Sequence, residues 1–172
     1  MTEAQLILRP VRSEDEDLVR AAQRSLAVDE FDFAVGWQPE MDWATYVDLL
    51  DEFRRARQLP EPWVPATFLL AEVDGEVVGR ASIRHELNAY LLALGGHIGY
   101  AVLPDYRRRG YASEILRQSL VIARSFDVVR VLVTCDEDNT ASARIILRHG
   151  GTLEDVVDDP DSNKRKQRYW IG

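Results

Sequence analysis

The chain has 172 residues, of which 46% are hydrophobic and 29% are charged, and its formal net charge is −8. This size and composition predict a single domain over residues 1–172, and the acidic charge argues against a general nucleic-acid binder. One cysteine excludes an intrachain disulfide and a cysteine-based zinc cluster, and we expect no metal site. No apolar run is long enough for a membrane helix, and the start lacks a secretory signal, so the sequence predicts a cytoplasmic protein without membrane contact.

The first third of the chain predicts one strand and two helices. Residues 6–11 (LILRPV) favour a short strand. Ser13 and Glu16 have the spacing of a capping box at the start of the first helix. Five apolar residues at helical spacing predict the second helix: Trp43, Tyr46, Val47, Leu50 and Phe53. Prolines from Pro60 onward end this helix.

The remainder predicts strands separated by helices. Residues 67–87 indicate a hairpin with Asp74-Gly75 at its turn, and residues 88–96 a loop or short helix. A strand at 97–104, a helix at 112–126 and an apolar strand at 128–135 predict a right-handed βαβ crossover. A helix over about 140–148 and a strand pair at 151–157 and 165–171 complete the chain.

A short basic run, PDYRRRGYASEI at 104–115, lies between a predicted strand and the first turn of a helix. Amides in a first helical turn lack intrahelical partners, and the helix dipole is positive there. Gly110 allows a positive φ angle, and Ala112 and Ser113 are small. These features predict a site for phosphate or pyrophosphate, although the residues alone fit a solvated basic loop equally well. The chain has neither a P-loop nor a dinucleotide fingerprint.

Two motifs carry a resemblance to a known family. VLPDYRRRGYA resembles the signature loop of the GNAT superfamily of N-acetyltransferases, with Arg107, Gly110 and Ala112 at its defining positions. NTASARIILRHGG resembles the next motif of that family, through Asn139, Ser142 and the glycine pair at 150–151. The order of elements matches from residue 6 to residue 171. IRHELNAYLLALGGHIGY is similar to a group of bacterial predicted acetyltransferases of undefined substrate.

The resemblance implies an α/β (α+β) fold and a binding site for acetyl-CoA. The expected sheet is mixed and mostly antiparallel, with helices on both faces and a central parallel pair, 97–103 and 128–135, that splays apart around the cosubstrate. The amide of Tyr100 would face the thioester carbonyl as an oxyanion donor. The remaining residues implied to bind the cofactor are Val102, Arg107, Arg108, Arg109, Gly110, Tyr111, Ala112, Ser113, Asn139 and Ser142.

The acid and base of the reaction are not inherited from the family. Ile146 stands where many members have a tyrosine that protonates the departing thiolate, and Gly96 stands where some have a glutamate. We therefore expect a titrating group at the acceptor end of the strand, with His97 first and His85 or Glu86 next. For each of the three, a purely structural role is the alternative.

The predicted function is transfer of an acetyl group from acetyl-CoA to a primary amine of a small molecule, peptide or protein. The alternatives are a non-catalytic sensor that binds CoA or acyl-CoA, and an acyltransferase that uses a longer acyl-CoA. Cys135 fits a small apolar filler better than an acetyl carrier. The aromatic and acidic segment around Phe31 suggests a wall for the acceptor, or simply core packing. The sequence leaves a homodimer open.

Overall fold

A computed structural model describes residues 5–172, so the first four residues of the predicted domain lie outside the described part. Four helices and seven strands follow one another in chain order: β1 Ile7–Arg9, α1 Glu16–Ala27, α2 Trp43–Arg55, β2 Ala66–Val73, β3 Glu76–Arg84, β4 Ile98–Val102, α3 Tyr111–Ser125, β5 Val131–Asp136, α4 Thr140–Arg148, β6 Thr152–Asp158 and β7 Arg165–Ile171. A turn of π-helix, Leu91–Gly95, precedes β4. Every element predicted from periodicity is present, with ends that differ by a few residues.

The strands form two antiparallel sheets. The first has the order β1-β2-β3-β4 and the second β5-β7-β6. The predicted hairpin joins β2 to β3 through Asp74 and Gly75, whose φ angles of 51° and 83° fit a tight two-residue turn. The fold class predicted from the sequence, a mixed α/β structure with mostly antiparallel strands, is confirmed.

Helices cover both faces of the sheets. α1 and α2 pack on β2 and β3 around the fully buried Phe33 and Tyr46. α3 and α4 pack on the opposite face, where Leu116 and Ile146 are fully buried against β5 and β7. The predicted helical stripes therefore point inward on both sides.

The two sheets meet at the start of β4 and β5. The His97 amide donates to the Leu132 carbonyl at 2.7 Å, and the Leu132 amide donates to His97 Nδ1 at 2.9 Å. Beyond this point no ladder joins the two strands in the described part of the chain. Tyr100, near the end of β4, and Asp136, at the end of β5, border the same cleft. The strands thus run in the same direction and splay apart, as the resemblance implies.

The capping box predicted at Ser13 and Glu16 is wrong. The carboxylate of Asp15 accepts a hydrogen bond from the Arg12 amide and pairs with Arg9, at 2.7 Å in each case. Asp15 is buried and Ser13 is exposed. The buried ion pair, which sequence spacing does not reveal, sets where the first helix begins.

Two further expectations concern the whole molecule. None of the helices within residues 5–172 is both long and apolar enough to cross a bilayer. In the same range, no group of three or more histidine, cysteine or acidic side chains is arranged to hold a metal ion.

Candidate active site

A cleft of about 650 Å³ opens between the splayed ends of β4 and β5. This volume lies in the range of small-molecule and cofactor sites. Its walls come from the loop before α3, the start of α4 and the segment after α1. The lining residues include Tyr100, Val102, Arg107, Arg108, Gly110, Tyr111, Ala112, Ser113, Asn139 and Ser142. The structure therefore brings together every residue that the sequence predicts for cofactor binding except Arg109.

The loop before α3 presents a row of backbone donors. In the described structure, the amides of residues 108–112 make no hydrogen bond to the protein, whereas the Ser113 amide donates to Gly110 O at 3.1 Å. Gly110 has a φ angle of 84°, and an added Cβ would meet no atom within 4 Å. The loop thus offers a run of N–H groups without protein partners at the positive end of a helix, with open space over Gly110, as an anion site requires.

The three arginines of this loop differ in their contacts. Arg107 donates to Val102 O at 3.2 Å and pairs with Asp29 at 2.8 Å. Arg109 lies against the ring of Tyr106, which lines the cleft, and donates to Asp105 O, but it does not line the cleft itself. Arg108 lines the cleft and is exposed. Arg148 at the end of α4 also lines the cleft, and the sequence analysis did not identify it.

The backbone of β4 directs alternate amides into the gap. The Arg84 amide donates to His97 O, and the Leu103 amide donates to Val78 O, so the odd-numbered residues of the strand bond to β3. In an antiparallel pair, the residues between them turn their polar groups to the opposite edge. Tyr100 and Val102 consequently face β5 with their N–H and C=O groups.

The side chain of Tyr100 lies on the floor of the cleft. Its hydroxyl is buried and has no hydrogen-bond partner within the described residues. Burial raises the pKa of Tyr100, which nearby Ser142 partly offsets. The phenol is therefore protonated at neutral pH and has a proton to donate. The family resemblance implied a role only for the amide of this residue.

Asn139 caps α4 at the opposite wall. Its Oδ1 accepts a hydrogen bond from the Ser142 amide at 3.1 Å. The capping role considered from the sequence is therefore present, and the side chain also lines the cleft. Ser113 is tied to α4 through its hydroxyl, which lies 2.9 Å from His149 Nε2.

Comparison with known proteins places this geometry in a family. Residues 5–152 match the family model described as an acetyltransferase (GNAT) domain, which is most of the chain. The chain belongs to the GNAT acetyltransferase family. The enzyme class predicted from the sequence, an acetyltransferase, is thereby confirmed.

Individual relatives agree with this membership. A segment of 66 residues is 42% identical to the Bacillus subtilis (strain 168) protein named uncharacterized N-acetyltransferase YfmK, and it spans 38% of this chain and 44% of that protein. The match thus covers less than half of that relative.

Solved GNAT structures share the fold at low sequence identity. The ribosomal L7/L12 α-N-protein acetyltransferase RimL, in complex with coenzyme A, has a TM-score of 0.68 at 19% identity, covering 99% of this chain and 95% of that one. An N-acetyltransferase from Staphylococcus aureus Mu50 scores 0.67 at 16% identity, covering 98% of each chain. The yncA protein of Salmonella typhimurium, with its cofactor acetyl-CoA, scores 0.63 at 16% identity, covering 96% and 92%.

The three residues predicted to titrate at the acceptor mouth of this GNAT protein lie outside its cleft. His97 is 7% exposed, its Nδ1 is occupied by the Leu132 amide, and burial lowers its pKa to about 4. His85 stacks on Phe126 at 3.7 Å between ring centroids. Its Nε2 lies 2.9 Å from the Thr67 hydroxyl, and burial lowers its pKa as well. Glu86 is exposed. The structure thus gives both histidines structural contacts, and neither lines the cleft.

The two departures from the family pattern lie at tightly packed positions. A Cβ on Gly96 would lie 2.7 Å from Leu132 O, and the residue has a φ angle of 66°, so a glutamate does not fit where β4 and β5 touch. Ile146 is fully buried in the core. Ile146 does not line the cleft, although its α4 neighbours Ser142 and Ile145 do.

Cys135 lies in the core below the cleft. It is buried, and burial together with Asp136 raises the pKa of its thiol to about 11. A protonated and inaccessible thiol is a poor nucleophile. These observations favour the role of apolar filler.

Proposed function

We propose that this GNAT acetyltransferase uses acetyl-CoA and transfers the acetyl group to a primary amine of a small molecule or peptide. The observation that carries the proposal is the row of five unbonded amides, residues 108–112, at the mouth of the cleft between the splayed strands. Pyrophosphate is the part of CoA that such a row recognises. The solved relatives described with CoA and acetyl-CoA share the fold.

Charged and polar side chains would hold the cofactor from both walls. Arg108 and Arg148 border the cleft and supply positive charge for phosphate oxygens. Arg107 would have a structural role instead. It donates to Val102 O of β4 and pairs with Asp29, and so connects the loop to β4 and to the segment after α1. Asn139 and Ser142 would contact the pantetheine arm from the side of α4.

The reaction is direct attack of a neutral amine on the thioester carbonyl. The new C–N bond forms a tetrahedral intermediate whose oxygen carries negative charge, and the Tyr100 amide faces the gap where that oxygen develops. The intermediate collapses as the C–S bond breaks. The nitrogen loses one proton, and the CoA thiolate gains one.

We propose the hydroxyl of Tyr100 as the acid that donates a proton to the departing CoA thiolate. It is buried, unbonded and beside Ser142 on the cleft floor. A positioned acid contributes roughly 10²- to 10⁴-fold to such a step. A thiolate is a good leaving group, so the lower end of that range applies.

No histidine or glutamate lines the described part of the cleft. Its two acids are engaged in ion pairs, Asp29 with Arg107 and Asp136 with Lys164 and Lys166. We therefore propose that water accepts the amine proton. The acidic limb of kcat/KM should then follow the pKa of the acceptor amine.

Two glycines with the same backbone geometry provide the test of cofactor binding. Gly110 and Gly75 have φ angles of 84° and 83°, and an added Cβ at either meets no atom within 4 Å. Valine imposes similar strain at both positions, but only Gly110→Val occupies the space over the unbonded amides. Titration calorimetry should show CoA affinity at least about tenfold lower for Gly110→Val, equivalent to about 1.4 kcal/mol, and unchanged for Gly75→Val. Equal affinity in the two folded variants would overturn the assignment.

A further inference from the structure

Two arginines of β3, Arg80 and Arg84, approach each other on the face of the sheet that α1 and α2 cover. Arg80, Ser82 and Arg84 alternate along the strand and therefore share this face. A Cβ on Gly99 of β4 would lie 3.2 Å from Arg84 Nη1 and 3.5 Å from Arg80 Nη1. Both guanidinium groups thus converge above one glycine.

Neither arginine has an acidic partner. Among the described residues, no carboxylate lies within ion-pair distance of Arg80 or Arg84. Asp32 on the covering segment gives Arg80 its main-chain carbonyl, at 2.8 Å from Nη2, and its carboxylate attracts Arg80 without forming an ion pair. Buried charges are ordinarily paired, so two adjacent cations without a direct ion pair are unusual.

The donors of both side chains are incompletely used. Arg80 is 4% exposed, and its Nε is buried without a partner. Its Nη1 donates to Gly99 O at 3.0 Å, and its guanidinium lies against the Phe31 ring at 4.6 Å. Arg84 reaches only Gly95 O and Gly96 O, at 3.4 and 3.5 Å. Burial and mutual repulsion lower the pKa of Arg80 to about 9, which an anion between the two groups would reverse.

The pair lies beside the proposed reaction centre. Gly99 immediately precedes Tyr100, whose amide faces the gap between β4 and β5. Gly99 and Arg84 are partly exposed, so the Arg84 end of the pair is reachable from outside, whereas Arg80 is buried. Phe31 and Ala101, which flank Arg80, also line the cleft.

We propose that Arg80 and Arg84 bind the carboxylate of the acceptor, and that the acceptor is an amino acid. This inference rests on the acetyltransferase function proposed above. An anion above Gly99 would lie next to the Tyr100 amide that is proposed to face the thioester carbonyl, so the amine and the carboxylate of the acceptor would be close neighbours. An α-amino acid carries both groups on one carbon. Arginine pairs recognise carboxylates through several parallel hydrogen bonds.

Matched acceptors test this assignment through kcat/KM. Common α-amino acids and their carboxamides present the same amine and side chain and differ only in the carboxylate. Arg84→Gln removes the charge and can keep a bond to the Gly95 carbonyl, and Arg84→Lys keeps the charge without the planar fork. Arg54→Gln on α2 removes an exposed arginine elsewhere and serves as the control. The amine of a carboxamide has a lower pKa than that of the amino acid, which affects kcat/KM. This effect is the same in wild type and variant, so it cancels when their amino acid to carboxamide ratios are compared.

We expect the wild type to prefer the amino acid, and Arg84→Gln to reduce that preference by about 10- to 100-fold. Arg84→Lys should recover part of it, and Arg54→Gln should leave it unchanged. An unchanged preference in Arg84→Gln, or a wild type that favours the carboxamide, would overturn the proposal.

A binding measurement separates this proposal from the acetyltransferase function. N-acetylglycine and N-acetylglycinamide are titrated into the CoA-loaded protein, which requires no turnover. Arg84-dependent binding of N-acetylglycine alone would support the carboxylate site even if no amine were acetylated. Acetyl transfer to amines without any effect of the carboxylate would refute the site and leave the proposed function standing.

Discussion

The hydrogen bond between His97 and Leu132, which joins the two sheets, should make the stability of the protein depend on pH. Its neutral ring accepts the Leu132 amide, and burial lowers its pKa from 6.5 to about 4. Between these values the unfolded chain binds a proton that the folded protein does not. Stability contributed by the neutral ring is therefore present above about pH 6.5 and is lost as the pH falls toward 4.

The magnitude follows from the pKa difference. A shift from 6.5 to about 4, at 1.36 kcal/mol per unit, corresponds to about 3 kcal/mol in full. About 2 kcal/mol of this should be lost between about pH 7.5 and about pH 5. Such a loss is a large fraction of the stability of a typical domain.

Two substitutions separate the hydrogen bond from the titration. His97→Asn places an amide oxygen near the position of Nδ1 and does not titrate, whereas His97→Ala leaves the buried Leu132 amide without an acceptor. Urea unfolding should show His97→Ala destabilised at every pH by about 1–3 kcal/mol. His97→Asn should lose about 2 kcal/mol less than the wild type between about pH 7.5 and about pH 5.

The competing interpretation makes His97 the general base. In that case His97→Ala would flatten the acidic limb of kcat/KM, as the sequence alone predicts. A flattened limb in His97→Ala, or wild type and His97→Asn losing stability in parallel as the pH falls, would refute the structural role.

The cleft makes three further predictions. Tyr100→Phe should keep CoA affinity, measured by calorimetry, and lower kcat by about 10²-fold because the thiolate loses its proton donor; an unchanged kcat would remove Tyr100 from the mechanism. Cys135→Ala should retain most activity, since the thiol is buried and protonated, and mass-spectrometric detection of an acetylated Cys135 after a pulse of acetyl-CoA would contradict this. Ile146→Tyr should be destabilised by about 1–3 kcal/mol in urea unfolding, because the position is fully buried; wild-type stability with faster turnover would show that the family's tyrosine can be restored.

The elements of the fold were predictable because each has a strong local signal. The turn at Asp74-Gly75 and the apolar face of α3 follow from residue type and periodicity alone. The start of α1 was not predictable in this way. Asp15 caps that turn through Arg12 while pairing with Arg9, and such tertiary pairing has no local signature.

The shape of the loop before α3 was predictable for the same reason as the turns, since glycine and small residues before a helix have a direct physical meaning. The catalytic candidates depended on distances that the sequence does not contain. His97 has the residue type of a base, but the approach of Leu132 determines its surroundings.

The arginine pair of β3 has a signal in the sequence itself. In GRASIR, residues 79–84, charged and polar side chains recur at every second position of a strand that is otherwise buried. That alternation places Arg80, Ser82 and Arg84 on one face. Only the position of Gly99 opposite them shows that the charges converge.

Acetyl transfer itself is the most direct test of the account. The purified protein would be incubated with acetyl-CoA and a panel of amino acids, carboxamides, polyamines and peptides, and each product would be analysed by mass spectrometry. We expect an amine product that has gained one acetyl group, with release of one equivalent of CoA, and both should fall sharply in Gly110→Val. Tight CoA binding without any acetylated product across the panel would contradict the enzymatic function and favour a CoA sensor.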